Sequence, residues 1–133
     1  MSLLTVFLAR SLGLFMILLV AGLAARGGAG IEASLGDGPL LLIYAIISLA
    51  MGVAMVVGHN VWSGGALPVV VTLVGWLVLA KGLVLLVASP ASLLAAMNQM
   101  HYMQHYPVVL LPALVIGLYL SWAGFTARAT RGI

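Results

Sequence analysis

His101 and His105 stand four positions apart, and Met97 lies four before His101. On a helix that spacing stacks side chains along one face, where two imidazoles and a thioether can share a soft metal such as copper(I). The set is incomplete. The other methionines of this stretch fall on the opposite face, and no carboxylate or cysteine adds a ligand. The pair therefore reads more simply as the polar side of a helix, and no metal or other cofactor is expected.

A second concentration of polar side chains is GHNVWSGG, Gly58 to Gly65, which sets His59 beside Asn60 and Trp62. As a turn, it would let Gly58 end a helix, His59 and Asn60 bond that helix's unpaired carbonyls, and Trp62 anchor at a membrane surface. As a site, it would offer an imidazole and an amide to a polar ligand. The third group is ionic. Arg10 and Lys81 interrupt long apolar runs, and ionisable groups in such runs are the default place to look for function.

The elements that position these residues follow from composition. Of 133 residues, 65% are hydrophobic and only 5% charged, and the mean hydropathy is +1.30. A soluble domain has about a quarter charged residues, so the chain reads as an integral membrane protein. Five Lys and Arg stand against two Asp and Glu without a clustered basic patch, which argues against nucleic acid as a partner. Cysteine is absent, excluding disulfides and thiol chemistry.

A spanning helix needs about 20 mostly apolar residues. Four stretches qualify, at about 3–25, 39–57, 68–88 and 107–126, and together they predict a single all-α transmembrane domain, a four-helix bundle. Gly27, Gly28 and Gly30 are expected to end the first helix. Pro39 and Pro68 suit first turns, where their missing amide hydrogen would have had no partner. Pro112 is expected to kink the fourth span or to mark a later start. The apolar run around Arg10, followed by AGLAA at 21–25, also resembles a secretory signal peptide, but is read as a retained span.

Between the third and fourth spans, residues 90–105 are too polar to cross. Ser89 and Pro90 make a helix start, with Leu93, Ala96, Met97, Met100 and Met103 on one face and Asn98, His101, Tyr102 and His105 on the other. A short amphipathic helix at the membrane surface is expected there. With four spans, both termini share a side with GHNVWSGG. That side gathers Arg128, Arg131 and the nearer end of Arg10, so the positive-inside rule predicts both termini in the cytoplasm. His59 then lies on the surface opposite His101 and His105.

At about 1.5 Å per residue, Arg10 lies about 10 Å into the first span and Lys81 about 20 Å into the third. Matching depths sets Arg10 near Trp76, Tyr119 and Ser121, which could stack on or accept from its guanidinium. Lys81 could reach Asp37 or Glu32, or snorkel to water. No span contains Asp or Glu, so a proton-coupled exporter like the four-helix small multidrug transporters would lack its central carboxylate. No nucleophile and base pair or phosphate loop is visible, and the chain is not expected to be an enzyme.

The run Gly58 to Gly82, with His59, Asn60, Trp62, Gly75, Trp76, Lys81 and Gly82, resembles the signature of a family of small four-span bacterial inner-membrane proteins: a His-Asn-x-Trp turn, then Gly-Trp and Lys-Gly in the following helix. The resemblance implies a bacterial inner (cytoplasmic) membrane and supplies no catalytic residue.

Two functions fit. One is a non-enzymatic structural or accessory subunit embedded in the lipid bilayer, self-associating as a homo-oligomer or docking on a larger membrane-protein complex. Small residues at four-residue spacing, Ala9 with Gly13, Ser48 with Gly52 and Gly117 with Ser121, support it, since they let helices approach closely. The alternative is a small oligomeric channel or transporter for an anion or polar solute, lined by Arg10, Trp76, Tyr119 and Ser121 and entered beside His59, Asn60 and Trp62.

Overall fold

The computed structural model describes residues 1–99 and 102–128, and among them it contains helices and no strands. In chain order these are α1 (Leu3–Gly36), α2 (Gly38–Gly58), α3 (Ala66–Val87), α4 (Pro90–Gln99) and α5 (Tyr102–Thr126). Four are long and apolar enough to cross a membrane. The chain is a multi-pass membrane protein with the expected all-α, four-helix architecture.

The helix ends show which local signals prevailed. Ser2 caps α1 by accepting the Thr5 amide at 3.1 Å. Gly27 breaks the helix as expected, with φ 72° and ψ 176°, a backbone region open to glycine but costly for other residues. The chain does not leave the helix there, however: it resumes at Gly28 and runs to Gly36. Arg26 fastens this bend by donating to Ser34 Oγ across it at 3.1 Å. The first span thus ends near its predicted limit, and a short helical arm follows where a loop was expected.

Asp37 separates that arm from α2 and caps α2, its Oδ1 accepting the Leu40 amide at 3.0 Å. Ser89 caps α4 in the same way through the Ser92 amide. Helix α4 is described from Pro90 to Gln99, within the expected 90–105, and α5 from Tyr102, residues 100 and 101 lying outside the described residues. His105 lies in the fourth span. Pro107 and Pro112 both lie inside α5. Each forgoes one bond to the carbonyl four residues earlier, and neither starts the helix.

Packing is organised in two antiparallel pairs, α1 along α5 and α2 along α3, which meet each other more sparingly. The small residues lie inside these pairs. An added Cβ at Gly13 would strike Ser121 and the Gly117 carbonyl, and one at Gly52 would strike the Leu79 backbone. At Gly82 it would meet the backbone of Ser48 and Leu49. Ala9, Leu12, Met55, Leu67, Val71, Val74 and Leu120 form the shared core. These residues all belong to the half of the bundle nearest the α2–α3 connection. Outward faces carry Leu18, Val57, Leu77, Val87 and Trp122, as expected where hydrocarbon is the solvent.

Candidate functional site

His59 is the residue around which the polar chemistry assembles. Its own amide ends α2 by donating to the Met55 carbonyl at 2.7 Å, so the cap is made by backbone and not by the imidazole. The ring instead turns inward and is 3% exposed. Nε2 lies 2.9 Å from Thr5 Oγ1 in α1, and Nδ1 lies 3.2 Å from Thr72 Oγ1 in α3. A single side chain therefore joins three helices. Both ring nitrogens are paired, which removes the penalty a buried imidazole would otherwise carry.

The surrounding bonds set the direction of this chain. Thr72 Oγ1 accepts the Val61 amide at 3.0 Å. Its single hydrogen has the Pro68 carbonyl at 3.0 Å and the Val61 carbonyl at 2.9 Å to donate to. Because a carbonyl only accepts, the hydroxyl hydrogen is spent there, and His59 must supply the hydrogen from Nδ1. Nε2 is then the acceptor for Thr5, whose hydroxyl also meets Ser2 Oγ at 2.8 Å. The result is a directed series, Ser2 to Thr5 to His59 to Thr72, ending on backbone carbonyls.

Asn60 organises a second group just outside. Its Oδ1 accepts the Trp62 indole N–H at 2.7 Å and the Trp76 indole N–H at 3.4 Å. All three residues are exposed. Trp62 lies in the connection before α3, and Trp76, nearly three turns into α3, faces outward with it.

Arg10 forms a third group. It is half-buried, and its Nε donates to the Gly124 carbonyl at 2.8 Å, while the guanidinium carbon lies 5.2 Å from the Phe125 ring centre. The expected partners Trp76, Tyr119 and Ser121 are not the ones used. The guanidinium reaches towards the nearer end of the bundle, so Gly124 and Phe125, three and four residues beyond Ser121, take it. Tyr119 packs half-buried against the core, and the Ser121 hydroxyl is buried without a hydrogen-bond partner where Gly13 presses on it.

The remaining candidates lie apart. Lys81 is exposed, and among the described residues it makes no ion pair with Asp37 or Glu32; Asp37 is engaged as a helix cap. Met97 is buried in α4, and His105 is exposed in α5. His101 lies outside the described residues. Two apolar grooves indent the surface. One, of about 370 Å³, runs between α1 and α2 past Leu8, Phe15, Met51 and Ala54. The other, of about 210 Å³, lies between α1 and α5 beside Val20, Ala24 and Tyr106.

No family model, curated protein or solved structure matches this chain. The residues that deserve most weight beyond the sequence candidates are Thr5 and Thr72. Both are hydroxyls in the first two turns of their helices, at the end where His59 lies, and matching depths among polar side chains brings them together.

Proposed function

We propose that this chain is a non-enzymatic, structural or accessory subunit of a bacterial inner membrane, with both termini cytoplasmic, that self-associates or docks on a larger membrane complex. The observation that carries this reading is how its polar and close-packing residues are used. His59, Thr5, Thr72 and Arg10 bind the helices of one chain to each other. Gly13, Gly52 and Gly82 serve the same contacts. These side chains act as internal fastenings, and the outward faces of the spans are largely apolar.

A pathway through Arg10, Trp76, Tyr119 and Ser121 has less support, because Arg10 is held by Gly124 and Trp76 faces outward. The cytoplasmic orientation draws on Arg10 and Arg128 at one end, against Arg26 beside Glu32 and Asp37 at the other. The inner membrane draws on the resemblance of the His59 to Gly82 signature. Extraction of native membranes into nanodiscs, followed by mass analysis, tests the role. Migration with further copies or one defined partner is expected. A solitary chain that passes anions or small polar solutes into liposomes would replace this reading with transport.

A further inference from the structure

The Asn60 side chain has a fixed orientation. Both indole nitrogens beside it, at 2.7 and 3.4 Å, carry a hydrogen and can only donate. The amide group turned towards them must therefore be the oxygen, which points the –NH₂ group away from both rings. Asn60 is exposed, and among the described residues nothing accepts from that group. Two N–H donors are thus left on the side of Asn60 away from the indoles of Trp62 and Trp76, which are 55% and 43% exposed.

This amide lies in the connection between two membrane-crossing helices, so it faces the headgroup layer. The strongest acceptor in that layer is the phosphodiester oxygen, and a bond to an ionised acceptor is about twice as strong as a neutral one. Tryptophan favours the same depth, with its ring in the acyl boundary and its N–H towards polar groups. Here the two indole hydrogens are already committed to Asn60. The rings supply the apolar walls and Asn60 supplies the donors.

The geometry points to a phospholipid site in which the Asn60 Nδ2 hydrogens bind the headgroup phosphate and Trp62 and Trp76 flank the glycerol and upper acyl region. It is a binding site independent of whichever larger assembly the protein joins.

The test uses the full chain carrying Trp122→Phe, so that emission reports only Trp62 and Trp76 of the three tryptophans. Delipidated protein in a maltoside detergent is titrated with dihexanoylphosphatidylglycerol, with dihexanoylglycerol and with inorganic phosphate. A saturable emission change with the phospholipid alone is expected. Asn60→Asp keeps oxygens for both indoles but has no N–H, and it should weaken the apparent affinity at least about tenfold. Asn60→Ala should do the same, with unchanged helical circular dichroism in both variants. Titration of either variant like its parent, or an equal response to dihexanoylglycerol, overturns the proposal. Saturation by inorganic phosphate over the same range assigns a free anion and overturns the lipid site too.

Discussion

His59 Nε2 and Thr5 Oγ1, separated by 54 positions in sequence, lie 2.9 Å apart in the buried end of the bundle. This bond ties the first helix to the end of the second, and through Thr72 to the third, where helix-to-helix packing between the two pairs is otherwise sparse.

Thr5→Val keeps the shape of the side chain and strands the imidazole nitrogen. The expected loss is about 1–3 kcal/mol, the usual cost of a buried polar group left unpaired. Thr72→Val should cost more, because the same hydroxyl also serves Val61 and Pro68. Reversible unfolding in mixed micelles gives both values. In a Thr5→Val, His59→Phe double-mutant cycle, a coupling near zero would show that the bond contributes nothing; a coupling of about 0.6–2 kcal/mol is expected for an interhelical bond in a membrane protein.

Close packing gives a second prediction with a built-in control. Gly52→Ala and Gly82→Ala place a methyl group against neighbouring backbone, which cannot move aside as a flexible side chain can, and overpacking of this kind costs about 1–3 kcal/mol. Gly22 lies inside α1 with open space at its Cβ position. Gly22→Ala should be neutral or stabilising by up to about 1 kcal/mol, since alanine holds a helix better. Equal thermal shifts for the three variants would contradict the packing described.

Arg10 offers a third. Arg10→Lys retains the charge but loses the planar group that donates to Gly124 while lying over Phe125. Unfolding free energy is expected to fall by about 1 kcal/mol, with Phe125→Leu losing about 0.5–1 kcal/mol. The combined variant should lose less than the sum of the two, as contacting residues are not additive. Strict additivity would separate Arg10 from the ring.

Gly27 is the fourth position. Its φ of 72° with ψ near 180° costs an alanine about 1–3 kcal/mol, so Gly27→Ala should either lower stability by that amount or straighten α1 and lift residues 28–36 from α4. Spin labels placed at Ala33 and Ala95, both exposed, distinguish these outcomes by distance. An unchanged distance with unchanged stability would contradict the bend.

The spans were readable because hydrocarbon imposes a length and a composition on any helix that crosses it, and these are local properties. Gly27 was equally readable as a break. Its sequel was not, because resumption of the helix depends on Arg26 reaching Ser34 and on the arm packing against α4, both of which act beyond the glycine itself. Pro107 shows the same limit in reverse: the apolar run begins there, but the helix is already formed at Tyr102, five residues earlier, because polar residues can extend a helix beyond its hydrophobic part. For the site, the polarity of the segment around His59 marks it in the sequence, and His59 lies at the end of the bundle that holds Thr5. The inward turn of the ring depended on Thr5 and Thr72, whose hydroxyls carry no distinguishing pattern along the chain. Arg10 found its carbonyl at Gly124 because a guanidinium can use backbone, which composition does not mark.

The pairing of α1 with α5 joins two helices that the whole α2–α3 hairpin separates along the chain. Helices α2 and α3 can close on each other as soon as both have left the ribosome, but α1 must wait in the bilayer with Gly13 and Arg10 uncovered until α5 has been made. During that interval His59 already gives it a partner at one end. The Thr5 bond can thus hold α1 beside the α2–α3 hairpin, in register, while its principal neighbour is still being made.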